Sequence, residues 1–183
     1  MLGPHADTDR IGAAGYSLGG YTALLLAGAK PDFARFVPYC KDPKIADATC
    51  ADDPAPPAIR PGLEIFRDPR IKSVFLMAPT LGYFFTAEGL RDVTMPVHID
   101  DPEEDEVAKR PYDAERIRDL LPAPPEYAQP ARAGHYLYLA PCPAWMSREN
   151  PQICRDHPGV DRAAFHAELN AEMAAFFKKT LEH

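Results

Sequence analysis

Gly15-Tyr16-Ser17-Leu18-Gly19 constrains this chain more than any other stretch, because of what flanks it. Before it, Arg10-Ile11-Gly12-Ala13-Ala14 reads as a short apolar strand. After it, Gly20-Tyr21-Thr22-Ala23-Leu24-Leu25-Leu26-Ala27-Gly28-Ala29 reads as an apolar helix. A serine between a buried strand and a buried helix is the setting of a nucleophile elbow. Such a turn forces the serine into a strained backbone conformation. Small residues two before and two after are then expected, because side chains there would collide. Both positions are Gly, and Gly20 adds further clearance. The first N–H groups of the helix have no intrahelical acceptor, so they face outward beside the serine, where they can bind a developing oxyanion.

The rest of the chain reads as α/β: a mostly parallel sheet flanked by helices, with Pro-rich loop insertions. The expected strands are 10–15, 71–78, 97–100 and a weak one near 126–130. Ile71-Lys72-Ser73-Val74-Phe75-Leu76-Met77-Ala78 is nearly continuous in apolar residues, which suits a strand covered on both faces. The expected helices are 18–29 and 112–121, the latter with Asp113 as its cap, and a last helix from Asp161 to about Thr180. A short helix near Gly62–Phe66 and a turn near Ala87–Arg91 are also expected. The last helix carries Phe165, Leu169, Met173, Phe176 and Phe177 at helical spacing. Alternation of strand and helix means one parallel sheet, with chemistry in the loops after strand carboxyl ends.

Length and composition set the outer bounds. The 183 residues suffice for one domain, 1–183, with a real core. The 21 prolines cluster at 31–69 and 122–158, so a loop or cap-like insertion is expected at 31–70. A net charge of −7 argues against nucleic acid or an anionic membrane surface as partner. No apolar run is long enough to span a membrane. The first residues read as polar and turn-like rather than as a signal peptide, and Leu181-Glu182-His183 reads as a tag remnant. Four cysteines stand at 40, 50, 142 and 154, spaced too widely for a CxxC pair. Of three possible connectivities, the local one, Cys40–Cys50 with Cys142–Cys154, staples two Pro-rich loops. Disulfides imply an oxidising compartment, periplasmic or extracellular; reduced thiols would suit the cytoplasm.

A serine hydroxyl needs an adjacent base, and the base an orienting acid. His135, in a Gly134-His135 turn late in the chain, is the best base. His5 precedes the serine, His98 reads as a core histidine, and His157 and His166 lie in the Pro-rich segment and the last helix. For the acid, five carboxylates follow the third strand: Asp100, Asp101, Glu103, Glu104 and Asp105. A solvated acidic loop and a calcium site are the other readings of this cluster. The order Ser, then acid, then His is that of α/β-hydrolases.

Arg10-Ile11-Gly12-Ala13-Ala14-Gly15-Tyr16-Ser17-Leu18-Gly19-Gly20 resembles the nucleophile region of predicted dienelactone hydrolases in the α/β-hydrolase superfamily, a branch related to platelet-activating-factor acetylhydrolases. Ala133–Cys142 resembles the histidine loop of that branch, and Cys154-Arg155-Asp156 with Asp161–His166 resembles its last helix. The likeness runs from about residue 4 to 180. In that family the acid sits in a G-[DE]-x-D pattern followed by Val-Ala-Pro. Pro102-Glu103-Glu104-Asp105-Glu106-Val107-Ala108 matches it and implies Asp105, with Glu103 and Glu104 as alternatives. Pro102 replaces the usual Gly, and Lys109 stands where Pro is common.

The resemblance implies ester hydrolysis by Ser17, His135 and Asp105, with Leu18 N–H at the oxyanion and no metal or organic cofactor. A small ester is the implied substrate. Tyr16, Tyr83, Phe84, Phe85 and Trp145 are candidates to line its pocket, with core packing as the other reading of each. The same fold also serves acyltransferases and peptidases, and a non-catalytic subunit is a further reading. A full α/β-hydrolase places about four strands and a helix before the nucleophile strand, and those would carry a second oxyanion donor. Nearly nothing precedes residue 10 here. The expected chain is therefore the later part of that fold, with one edge of strand 10–15 bare. A homodimer or a missing N-terminal segment would pair there.

Overall fold

The computed structural model describes residues 7–45, 47, 50 and 67–182. Four strands form one parallel sheet in the order β1-β2-β3-β4. They are β1 (Ile11–Tyr16), β2 (Ile71–Met77), β3 (Val97–Asp100) and β4 (Glu126–Ala128). Each strand pairs with the next in sequence, so every crossover steps the same way. Crossovers of one hand then put all the connecting helices on one face. Those helices are α1 (Leu18–Ala27), α2 (Phe36–Cys40), α3 (Ala87–Leu90) and α4 (Ala114–Leu120). The α5 (Ala144–Glu149) and α6 (Pro151–Cys154) turns lead into α7 (Arg162–Leu181), which covers the other face.

The alternation along β2 shows the division. Val74 and Leu76 join Leu24 of α1, Leu90 of α3 and Ile117 of α4 in the larger core. Phe75 points the other way, onto Leu169 and Phe176 of α7. Phe165, Met173 and Phe177 complete that second cluster, so the whole expected stripe of α7 packs inward. Asp161 caps α7 by accepting from the N–H groups of Ala163 and Ala164. Leu181 is the last residue of α7, and its side chain lies beside Gly12 of β1, so it belongs to the fold.

Several expectations are corrected in detail. The first helix stops at Ala27, because Gly28 adopts φ 111° and its N–H bonds back to Leu25. Asp113 precedes α4, but its carboxylate does not cap that helix. The short helix expected near Gly62–Phe66 lies outside the described residues. Both local disulfides form, Cys40–Cys50 and Cys142–Cys154. Among the described residues β1 pairs only with β2, so its other edge carries no strand. Among the described residues no helix is long and apolar enough to cross a membrane.

Candidate active site

Ser17 stands at the end of β1 with φ 53° and ψ −120°, a backbone that side-chain-bearing residues seldom adopt. Its N–H is held by Met77 O at the end of β2, at 2.9 Å, and its carbonyl receives Gly20 N–H at 2.9 Å. The strain is held in place from both sides. The clearance differs from the expected one. A Cβ on Gly15 would lie 2.1 Å from the Gly19 carbonyl oxygen, so position 15 must be Gly. A Cβ on Gly20 would come 3.0 Å from Pro79 Cβ. A Cβ on Gly19 would meet nothing within 4 Å, because that position of α1 faces outward. The steric demand therefore falls on 15 and 20, not on 19.

Asp105 and His135 converge on this serine. His135 Nε2 lies 2.9 Å from Ser17 Oγ, and His135 Nδ1 lies 2.9 Å from Asp105 Oδ2. The imidazole is 3% exposed and the carboxylate 1%, so the relay is shielded from water. Asp105 Oδ1 accepts from Val107 N–H at 2.8 Å and Ala108 N–H at 2.7 Å, which fixes the carboxylate's orientation. Glu106 accepts the His135 backbone N–H at 3.0 Å and anchors the histidine turn. Sequence reasoning passed over Glu106. The Tyr16 ring lies 5.1 Å from the His135 ring and 5.9 Å from that of Tyr138, and so braces the imidazole from the α7 side. Burial raises the Tyr16 phenol well above its ordinary range, with the Asp105 charge adding to it, so it stays neutral.

The four other carboxylates after β3 are each engaged elsewhere. Asp100 bonds His98 Nε2 at 2.9 Å. Asp101 pairs with Arg110 at 2.8 Å and accepts from the Tyr127 hydroxyl. Glu103 accepts Arg132 N–H at 3.0 Å, and Glu104 lies 3.1 Å from His157 Nδ1. The loop therefore does not gather its acids around a calcium-sized point. Among the described residues the single group with metal-ligand spacing is elsewhere. His98 Nε2, a carboxylate oxygen of Asp100 and one of Glu172 lie within 4.8 Å of one another. His98 is buried and stacks on Phe75 at 4.2 Å, as a core histidine would; its Nδ1 makes no hydrogen bond, and its nearest carboxylate is that of Glu126 at 3.8 Å.

A cavity of about 350 Å³ opens at Ser17, within the range that holds small ligands. Leu18, Thr80, Leu81, Tyr83 and Val107 line it, with Asp47 and Asp113 as its acidic residues. Leu81 holds φ 61°, a second strained residue at its wall. The N–H of Leu18 opens α1 and has no backbone acceptor among the described residues. Of the residues expected to line a pocket, only Tyr83 does so. Tyr16 faces His135 and the α7 core. Phe84 is buried against Phe33 and Phe36, and Phe85 is wholly buried in the main core. Trp145, 54% exposed on α5, is not among the residues that line the Ser17 cavity.

Asp113 is the larger omission from the sequence reading. It is buried, and its two oxygens accept from Gly82 N–H at 2.9 Å and Lys109 N–H at 2.7 Å. It thereby ties the Leu81 wall to the loop carrying Asp105. Burial pushes its carboxyl up to about 7, against the pull of those two donors. An unfolded Asp titrates near 4 (about 3.9), so below that pH both states are protonated and burial costs nothing. Between about pH 4 and about pH 7 the unfolded carboxyl ionises while the folded one keeps its proton, so stability falls across that window and levels off above it. The urea midpoint of the wild type should therefore fall, relative to that of Asp113→Asn, as the pH is raised from about 4 to about 8. Parallel profiles would show that the carboxyl is ionised throughout.

Comparison with protein-family models, with curated proteins and with solved structures finds no match. The functional reading accordingly rests on the residues and their geometry.

Proposed function

We propose that this chain is a serine hydrolase that cleaves carboxylic esters through an acyl-enzyme, on a framework of the α/β-hydrolase type. The observation that carries this reading is the unbroken relay from Ser17 Oγ through His135 to Asp105, at 2.9 and 2.9 Å, on a strained serine at a helix N-terminus. Ser17 Oγ attacks the ester carbonyl carbon while its proton passes to His135 Nε2. Asp105 holds the Nδ1 proton and stabilises the imidazolium. The tetrahedral oxyanion accepts a hydrogen bond from Leu18 N–H. Collapse expels the alkoxide, which takes the proton from Nε2. Water, deprotonated by the same nitrogen, then attacks the acyl carbon and releases the acid, and Ser17 recovers its proton.

The resemblance to the dienelactone-hydrolase and platelet-activating-factor-acetylhydrolase branch favours small esters, and a serine nucleophile suits ordinary ester hydrolysis. The size of the Ser17 cavity agrees. Two disulfides fit an oxidising compartment such as the periplasm or the extracellular space. The test is stopped-flow hydrolysis of p-nitrophenyl acetate. A burst of one p-nitrophenolate per chain followed by slower turnover is expected. Release at the buffer rate would remove the reading.

A partner-dependent form of the same hydrolase is the second reading, supported by β1. Among the described residues one edge of β1 carries no strand, an edge that invites another, and Leu18 and Leu26 of the following helix are exposed, 58% and 39%. A second copy, or a preceding segment, paired there would also bring a second oxyanion donor within reach. Activity that rises with protein concentration, alongside a dimer in sedimentation, would favour the second copy.

A further inference from the structure

A second cavity, of about 300 Å³, shares Tyr83 with the Ser17 cavity and is lined by residues of the 32–42 segment and of α4. Two arginines line it. Arg35 spends its Nε on the Tyr83 carbonyl at 2.7 Å, which leaves both terminal nitrogens. Arg116 spends Nε and Nη2 on the Phe85 carbonyl, at 3.0 and 2.8 Å, which leaves Nη1. Among the described residues neither guanidinium has a carboxylate within 4.0 Å. Arg67, Arg132, Arg148 and Arg155 share that lack, but none of them lines this cavity. The buried Arg162 has Asp156 at 2.8 Å, and the partly buried Arg118 has Asp119 at 2.7 Å. Arg35 and Arg116 are close enough for the charge of one to make the other less basic, on top of its burial. Two like charges side by side with no carboxylate in direct contact are a cost that an anion bound between them would remove.

The other walls limit which anion. Tyr39, Tyr83 and Tyr112 supply three rings, with Tyr39 stacked on Tyr83 at 3.7 Å and set edge-on to Tyr112 at 5.5 Å. The Tyr39 hydroxyl is engaged by Asp47 and that of Tyr112 by Asp42, so these rings offer faces and edges rather than hydroxyls. Asp32 and Asp42 also border the cavity, but their carboxylates already accept from the backbone, at Ala34 and at Lys44. We infer that this cavity binds a small ligand that presents a carboxylate or phosphate to Arg35 and Arg116 and a planar ring to the tyrosines. Planar anions suit arginine, whose fork meets two oxygens at once. The inference does not depend on the esterase reading, because none of these groups belongs to the Ser17 relay.

Titration calorimetry and tyrosine ring resonances with benzoate, its neutral isostere benzamide, and inorganic phosphate test it on the wild-type chain without any substitution. Benzoate should bind at least tenfold more tightly than benzamide and shift the rings of Tyr39, Tyr83 and Tyr112. Phosphate should compete with it if the anion alone drives binding; ring-driven binding would leave benzoate uncontested by phosphate and mark a carboxylate as the source. Arg116→Gln, checked for a native fold by near-UV dichroism, should weaken benzoate at least tenfold, and Arg116→Lys by less. Equal affinity for benzoate and benzamide, no binding of either, or undiminished benzoate binding by a folded Arg116→Gln would each overturn the assignment.

Discussion

Asp105→Asn is expected to lower kcat for p-nitrophenyl acetate by about ten-thousand-fold with the fold intact. The amide oxygen can still accept from Val107 and Ala108 N–H, so the loop keeps its shape. What changes is the group facing His135. An amide N–H now points at Nδ1, which forces the ring proton onto Nε2, and Nε2 can no longer take the proton of Ser17. Glu103→Gln and Glu104→Gln should leave kcat essentially unchanged, because those carboxylates serve Arg132 N–H and His157 instead. An equal loss in Glu104→Gln would reassign the acid.

Gly15→Ala should strongly destabilise the fold, while Gly19→Ala in the same motif should stabilise the protein slightly. The new Cβ at 15 would stand 2.1, 2.3 and 2.6 Å from backbone atoms of Gly19 and Gly20, which cannot move without unwinding the first turn of α1. A clash of that kind costs on the order of 4 kcal/mol or more, much of the roughly 5–15 kcal/mol that holds a domain together. At 19 the Cβ enters open space on a helix, where Ala is favoured over Gly by up to about 1 kcal/mol. Chemical denaturation of the two variants beside the wild type measures both effects. A folded Gly15→Ala of near-native stability would show that the turn is not as tight as described.

β2 was legible in the sequence because it is nearly continuous in apolar residues, and the period of α7 marked its buried stripe. The relay was legible for a different reason. A strained serine turn, an acidic loop after the third strand and a Gly-His turn are local signals, and a parallel sheet brings strand carboxyl ends together. Asp105 could be preferred over its neighbours only through the resemblance, since spacing alone does not tell which of five carboxylates turns inward. The pocket was not legible. Aromatic residues near the site in sequence divided between two sheet faces, so Tyr16 went to the α7 side and Phe84 and Phe85 to the core. Asp113 looked like a helix cap because it precedes α4. Its real partners, Gly82 and Lys109, come from loops that only the folded chain brings together. The clearance expected of Gly15 and Gly20 is needed, whereas that expected of Gly19 is not, because position 19 faces outward.

The measurement that bears most directly on the central claim is the intact mass of the chain after exposure to a fluorophosphonate, for the wild type and for Ser17→Ala. A fluorophosphonate reacts only with a serine whose proton has a base to go to. One adduct on the wild type and none on Ser17→Ala is the predicted result. An unmodified wild type, or an adduct that survives the substitution, would contradict it.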